Sequence, residues 1–266
     1  MSWVEKIFRF REPDETAVKP FLEHLEDLRW TVIKMGVTLC LAMGGSFFFR
    51  TSLVRIVQQP LLAVDPKLVN TLRAQGVADS ITISFQLAFY AGLILAFPLL
   101  LYFLAEFILP ALTAAEKKYM LPVVFISLGL FLTGVFFCYY GLLPQTLEFM
   151  YNDARKLQWN PEWTVEKYYA FTTQFVLAFG LAFELPVVVL LLVKLGILDH
   201  AMLARTRAIA FTLIFIFASI LTPTTDVFTL CAMGFPMYFL YEICIWIAKW
   251  MEPKPSKQEG HEKTSS

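Results

Sequence analysis

The chain has 266 residues, of which 58% are hydrophobic and 17% are charged, and its mean hydropathy is +0.61. This composition excludes an ordinary soluble domain and predicts an all-α polytopic membrane protein. The formal net charge is zero, which gives no indication of a nucleic-acid partner. Four scattered cysteines and three histidines share no ligand spacing, so we expect no disulfide framework, no metal site and no cofactor.

The amino-terminal part of the chain predicts a polar segment followed by a surface helix. Residues 1–19 are polar and of mixed charge, and no cleavable signal peptide is visible, because the first long apolar run starts only near Thr31. In FLEHLEDLRW, residues 21–30, Phe21, Leu25 and Leu28 recur at helical spacing while the acidic residues fall on another face. We expect an amphipathic helix at the cytoplasmic surface that leads into the first membrane span.

Six apolar runs predict six transmembrane helices, with spans five and six short. A span needs about 20 residues at 1.5 Å rise each, and the fifth run has only ~15 between Arg207 and Pro223. We retain it because a strong turn at residues 222–226 and a sixth apolar run follow directly. The predicted spans are residues 31–52, 83–104, 120–142, 168–194, 207–221 and 228–248.

The distribution of basic residues predicts the orientation of the six spans. Of the 22 Lys and Arg residues, 15 fall on the side of the two termini and 7 on the other side. Since basic residues favour the cytoplasmic side, both termini are expected there. This gives a six-helix membrane domain at residues 20–250 and a disordered cytoplasmic tail at residues 251–266. Four aromatic residues around the outer loops are expected to form a membrane-interface belt: Trp159, Trp163, Tyr168 and Tyr169.

The fourth span carries an ionisable residue, Glu184, near its middle. A charge there costs on the order of 3 kcal/mol on insertion scales, so such residues are functional by default. Pro186 cannot donate to the carbonyl group of Ala182 and predicts a bend beside the acid. Gly180 lies one turn earlier and would let a neighbouring helix approach. We interpret this face as the contact with a partner in the membrane; the alternative is a protonated Glu184 hydrogen-bonded within its own bundle.

No enzymatic motif is present, since the chain lacks GxxxxGK[ST], HExxH and GxSxG patterns. Any work must therefore draw on another source, and the transmembrane potential is the available one. The remaining chemistry is a set of carboxylates on the cytoplasmic side, which suit guanidinium groups because they bind them bidentately. They are Glu23, Glu26, Asp27, Glu106 and Glu116. A merely solvated charged face is the alternative for each of them.

Five stretches of the chain together have the pattern of one known family. They are HLEDLR (24–29), FILPALTAAEKK (107–118), FVLAFGLAFELPVV (175–188), LTPTTDVF (221–228) and FPMYFLYE (235–242). In this combination the chain resembles the TatC family, the multispanning subunit of the twin-arginine protein translocase. The resemblance extends over roughly residues 20–250, which is nearly the whole predicted membrane domain.

The resemblance implies a function that composition does not. A member of this family is the core subunit that binds twin-arginine signal peptides of folded proteins and recruits TatA-like and TatB-like single-span subunits. Export then runs across the bacterial cytoplasmic (inner) membrane, driven by the proton motive force, with the subunit as a homo-oligomer within the complex. The lipid bilayer is its surroundings, and no enzymatic activity is expected.

The resemblance also assigns residues. Those implied in signal-peptide binding are Glu116, Phe107, Asp27, Arg29 and Glu23. Those implied in contact with partner subunits in the membrane are Glu184, Gly180 and Pro186. Pro60 and Asp226 match family positions in the first and third outer loops.

The alternative from another class is a proton-coupled small-solute transporter with Glu184 as the proton site. That function needs a second buried polar group, for which Glu242 is the candidate. It also usually needs repeat symmetry, which is not evident in the sequence.

Overall fold

The computed structural model describes residues 21–66, 68–111, 117, 120–159, 162–222, 224 and 226–251. The polar segment 1–19 lies outside this part of the chain, as does the predicted tail apart from Met251. The described residues form helices and contain no strand beyond one isolated backbone bridge between Arg73 and Thr164. The helices are α1 (Phe21–Phe48), α2 (Arg50–Val64), α3 (Leu68–Thr71), α4 (Asp79–Ile108), α5 (Met120–Phe136), α6 (Leu143–Lys156), α7 (Val165–Ala182), α8 (Leu185–Lys194), α9 (His200–Arg205), α10 (Arg207–Leu221) and α11 (Val227–Met251).

The predicted class, an all-α polytopic membrane protein, is confirmed. Five helical segments are long and apolar enough to cross a bilayer: His24–Phe48, Asp79–Ile108, Met120–Lys156, Val165–Lys194 and Val227–Trp250. Helix α10 is the shorter sixth one, with 15 residues. The fifth span is therefore short, as predicted. The sixth, predicted to be short as well at residues 228–248, extends over 25 residues.

The first span and the predicted surface helix form one uninterrupted helix, α1. No proline or glycine occurs between Phe21 and Lys34, so nothing in the backbone breaks the helix where the chain enters the membrane. Helix α4 runs antiparallel beside it. The Phe47 and Phe85 rings lie 5.0 Å apart at the outer end of the pair. Close packing is possible because Gly92 lacks a side chain: a Cβ atom there would lie 2.7 Å from the backbone nitrogen of Met43.

Helix α7 is the centre of the bundle. Twelve of its 18 residues are buried, among them Phe175 and Phe179 with no exposed surface. It packs against α4, α5 and the short α10. Burial of most of α7 places the bend that follows Ala182 against the neighbouring helix α5.

The segments predicted as outer loops are largely helical, and hydrogen bonds join them to each other. The backbone N–H of Arg73 donates to the carbonyl group of Trp163 over 3.2 Å, and Val165 donates back to Arg73 over 3.1 Å. The Tyr168 hydroxyl group donates to the carbonyl group of Val57 in α2 over 2.7 Å. Tyr168 and Tyr169 are 3% and 2% exposed, so their predicted place in an interface belt is wrong; they seal the outer segments onto α7.

Candidate functional site

The amino-terminal end of α1 and the carboxy-terminal end of α4 bring together two of the motifs found in the sequence. The His24 ring stacks on the Phe107 ring, with 4.6 Å between centroids and 17° between planes. HLEDLR therefore lies directly beside the start of FILPAL, although 83 positions separate the two rings in the chain. A stacked pair of this kind fixes the relative height of two helix ends as well as burying apolar surface.

Around this stacked pair lie charged side chains of both signs. Glu26 and Arg29 are exposed, Asp27 is half-buried, and the carbonyl group of Asp27 accepts a hydrogen bond from the Thr31 hydroxyl over 2.8 Å. The carboxylate of Glu106, next to Phe107 in α4, lies 3.4 Å from the ammonium group of Lys34. Two remaining residues with an expected role, Glu116 and the side chain of Glu23, lie outside the described part of the structure.

The bend predicted in the fourth span is present. Helix α7 ends at Ala182 and α8 starts at Leu185, with Pro186 in its first turn. In the turn between them, the Glu184 N–H donates to the carbonyl group of Leu181 over 3.1 Å, which is a three-residue rather than a four-residue hydrogen bond. The break places Glu184 where two half-helices meet.

The carboxylate of Glu184 has one hydrogen-bond partner among the described residues. The Ser127 hydroxyl of α5, which is 3% exposed, donates to Glu184 Oε2. The second oxygen, Oε1, is buried and has no partner within the described chain. Sequence reasoning missed Ser127. The available signal was the pair Ser127 and Gly134, two small residues seven apart on one face of an apolar helix.

Gly180 faces α5 of its own chain. A Cβ atom at Gly180 would lie 2.7 Å from Phe131 and 2.9 Å from Val135. In the structure, the helix that approaches at this glycine is α5 of the same chain; the expected contact of Gly180 with a partner's helix stays a prediction. The close contact presses α5 against α7, which brings Ser127 within reach of Glu184.

One flank of Glu184 is open. Leu181 and Val188 lie three residues before and four residues after the acid, on its side of the helix, and are 43% and 55% exposed. The acid is thus neither sealed by its own bundle nor fully surrounded by lipid. A helix packed on Leu181 and Val188 would reach its edge.

Pro60 lies inside α2 and is buried. Because proline has no backbone N–H, the carbonyl group of Ile56, four residues earlier, loses its helical donor. The hydroxyl group of Tyr139 supplies a donor over 2.6 Å. Tyr139 belongs to Phe137–Leu142, a π-helical turn between α5 and α6. The proline therefore creates the acceptor that ties α2 to the third span.

Asp226 caps the last helix. Its Oδ1 accepts the backbone N–H of Thr229 in the first turn of α11 over 2.7 Å. Burial raises the pKa of this carboxyl group, but hydrogen bonding from Thr224 and Thr229 outweighs burial and holds the pKa below its ordinary value. At neutral pH the residue is a charged cap at a helix amino terminus.

Glu242, the acid that the transporter alternative needs, lies in α11 beside the amino-terminal end of α10. Glu242 Oε2 lies 3.2 Å from the Arg207 guanidinium group, and the Tyr238 hydroxyl donates to Oε1 over 2.8 Å. Glu242 is therefore held by Arg207 and Tyr238, whereas Glu184 is held by Ser127. This placement does not favour a two-site proton pathway.

Comparison with known proteins assigns the chain to a family. The model of the Sec-independent protein translocase protein (TatC) matches residues 23–236. TatC of Akkermansia muciniphila is 43% identical over 185 residues, which is 70% of this chain and 53% of that longer protein. TatC of Carboxydothermus hydrogenoformans is 33% identical over 232 residues, 87% of this chain and 93% of that one.

The fold agrees with the sequence matches. A crystal structure of the twin-arginine translocase receptor TatC has a TM-score of 0.77 and 31% identity, covering 85% of this chain and 99% of the crystallised one. A second crystal structure of the same receptor has a TM-score of 0.77 and 32% identity to this chain. The chain therefore belongs to the TatC family of Sec-independent protein translocase proteins, multi-pass bacterial membrane proteins that are translocase components and not enzymes.

Proposed function

We propose that this protein binds the twin-arginine signal peptides of folded precursors at the inner ends of α1 and α4. It then recruits TatA-like and TatB-like single-span subunits for export across the inner membrane, driven by the proton motive force. The observation that carries the proposal is the stacking of His24 on Phe107, which joins the HLEDLR and FILPAL motifs in one place.

The chemistry of this place suits two guanidinium groups. Asp27 and Glu106 lie close to the stacked pair, and the chain continues from Phe107 to Glu116, the acid that the motif implicates. A carboxylate binds a guanidinium group through two parallel hydrogen bonds, and an ammonium group through one point contact. The proposed roles are therefore recognition by Glu116, Asp27 and Glu23, alignment by Phe107, and charge balance within HLEDLR by Arg29.

The apolar part of a signal peptide has a surface to follow. Leu25 and Leu28 on α1 are 44% and 41% exposed, and Leu104 on α4 is 44% exposed. Each of these side chains lies within about one helical turn of His24 or Phe107. A peptide that anchors its arginines at the rim would lay its apolar segment along them.

Recruitment of partner subunits is proposed at the open flank of Glu184. Its Oε1 lacks a donor within the described chain, and Leu181 and Val188 are exposed beside it. A partner span would pack on these two apolar side chains, beside the bend that holds Glu184, which is favourable in lipid. In this proposal Pro186 sets the bend, Gly180 shapes the bundle behind it, and the complex contains more than one copy of this chain.

Site-specific photo-crosslinking tests the peptide site. A photoreactive side chain at Leu28 is expected to label a twin-arginine precursor, with label lost when both arginines are changed to lysine. The matched control is Leu157, which is 54% exposed in the outer segment after α6. Equal labelling at Leu28 and Leu157, or labelling that ignores the two arginines, would count against the proposal.

The orientation is tested with reporter fusions. Both termini are proposed to be cytoplasmic, on the basis of the 15 against 7 distribution of Lys and Arg residues. A periplasm-active reporter fused after Met251 is expected to be inactive. The same reporter inserted at Gln158, between α6 and α7, is expected to be active.

A further inference from the structure

We propose that Glu106 is an additional carboxylate for the arginine pair of the signal peptide and that Lys34 is its internal stand-in. An arginine of the signal peptide displaces the Lys34 ammonium group from Glu106. A lysine of a signal peptide would replace one ammonium–carboxylate contact with another and so would gain no binding free energy. The inference rests on the proposed peptide site. It adds to that site a residue pair that selects arginine over lysine.

The position of the pair supports this assignment. Glu106 directly precedes Phe107, the residue that stacks on His24. Lys34 lies seven residues after Asp27, two turns further along the same face of α1. Its long side chain returns toward the inner rim, as lysines near membrane boundaries do, and its ammonium group reaches Glu106 Oε2 at 3.4 Å.

The pair is accessible and loosely held. The Lys34 and Glu106 side chains are 46% and 47% exposed, so neither charge is sealed by its own chain. A single contact at 3.4 Å is at the long end of the range for a hydrogen bond. Exposed pairs of this kind contribute little to stability, so exchange of the cation would cost the fold little.

After displacement from Glu106, the Lys34 ammonium group can stay over the ring of Phe103. The ammonium group lies 5.8 Å from the centroid of the Phe103 ring, one turn before Phe107 in α4. A cation over an aromatic face is attracted by the ring. Lys34 can therefore give up Glu106 without becoming an isolated charge at the membrane boundary.

Selectivity follows from this exchange. For an arginine, one point contact is replaced by a bidentate pair, which is a net gain. For a lysine, one ammonium contact replaces another, and the exchange is close to neutral. Lys34 therefore cancels the net contribution of Glu106 to binding of a lysine peptide, whereas an arginine peptide keeps the difference between a bidentate pair and a single contact.

The test is binding of two synthetic signal peptides, one with twin arginines and one with twin lysines, to the full-length protein in nanodiscs. Glu106→Gln is expected to weaken binding of the arginine peptide about tenfold, as for loss of one charged hydrogen-bond partner. Lys34→Met keeps the length of the side chain and removes the competitor. It is expected to tighten binding of both peptides by a similar factor, about threefold or more, because displacing Lys34 costs the same free energy for either cation.

The Lys34→Arg variant distinguishes two roles of Lys34: a cation that occupies Glu106 until the peptide arrives, and a contact that only stabilises the fold. Arginine would hold Glu106 bidentately, so it is expected to weaken the arginine peptide about fivefold while the melting temperature stays unchanged or rises. The matched control is Glu162→Gln, which breaks the exposed Arg73–Glu162 pair of 3.3 Å in the outer segments and should leave binding unchanged. Weaker binding by Lys34→Met, or unchanged binding by Lys34→Arg, would overturn the inference.

Glu116→Gln distinguishes this inference from the proposed function. If Glu116→Gln binds the arginine peptide normally, the proposed peptide site itself fails. If Glu116→Gln loses binding while the Lys34 and Glu106 variants behave like Glu162→Gln, only the stand-in fails.

Discussion

The hydroxyl group of Ser127 on α5 donates a hydrogen bond to the carboxylate of Glu184 at the bend between α7 and α8. Ser127→Ala removes the one described donor to this half-buried acid, so we expect a loss of about 1–2 kcal/mol in the free energy of unfolding. Thermal unfolding in detergent measures it. Thr133→Ala is the matched control on α5, because its hydroxyl only bonds the Gly129 carbonyl group of its own helix. Equal melting temperatures for the two variants would contradict the expectation.

The proposed partner contact is tested at the acid itself. Glu184→Ala is expected to reduce co-purification of the TatA-like or TatB-like subunits more than it reduces binding of a twin-arginine peptide, because the proposed peptide site lies at the stacked His24 and Phe107 rings and not at the bend. Unchanged recovery of both subunits would argue against a role for Glu184 in recruitment.

Gly180 and Gly129 give a matched pair of alanine substitutions. At Gly180 the new methyl group would lie 2.7 Å from Phe131, so Gly180→Ala is expected to cost about 1–3 kcal/mol of stability through overpacking. At Gly129 nothing lies within 4 Å, and Gly129→Ala is expected to be neutral or stabilising. Loss of partner binding by Gly180→Ala at full thermal stability would instead place a partner's helix at this glycine.

Pro60 and Tyr139 are expected to be energetically coupled. Tyr139→Phe removes the donor to the Ile56 carbonyl group, at a cost of about 1 kcal/mol or more. In Pro60→Ala the residue regains its N–H and can donate to Ile56, so the same Tyr139→Phe change should then cost less. A double-mutant cycle on the free energy of unfolding measures the coupling. Strictly additive effects would refute it.

Asp226 predicts a specific pH dependence. Its pKa is lower in the folded protein, so its stabilising contribution is complete above the unfolded-state pKa of about 4 and is lost as the pH falls through the folded value. Asp226→Asn should therefore flatten the decrease in melting temperature below about pH 4. Asp226→Ala should also lose about 1 kcal/mol at neutral pH as a helix cap. Identical acid profiles for the wild type and Asp226→Asn would contradict this.

Glu116 is expected to be required for export but not for folding. Glu116→Ala removes a charge outside the apolar spans, so the protein should still insert, while export of twin-arginine substrates is abolished. Glu148→Ala, which removes an exposed acid on α6, is the control and should export normally. Normal export by Glu116→Ala would refute its assignment.

Local chemistry explains what the sequence predicted well. The bend at Pro186 follows from a missing N–H, and the end of α10 follows from the turn at residues 222–226, so neither depends on distant residues. The burial of Tyr168 was missed because it depends on the Val57 carbonyl group, 111 positions away. The same applies to Ser127 with Glu184 and to Lys34 with Glu106, pairs that only the packed bundle brings together.

The outer helices were missed for another reason. Residues 50–64 contain Pro60 and charged residues, a pattern typical of a loop. They are helical because Tyr139 and Tyr168 bond two of the α2 carbonyl groups and because Leu61 is fully buried beneath them. Here tertiary contacts override local propensity.

The 15 residues of α10 span about 22 Å, some 8 Å less than a typical hydrocarbon core of about 30 Å. Lipid tails beside this helix must compress or tilt to cover its ends, at a cost of a fraction of a kcal/mol per Å. We therefore expect the bilayer next to α10 to be thinner than elsewhere. A folded cargo crossing at this edge would meet a thinner barrier than the membrane offers elsewhere.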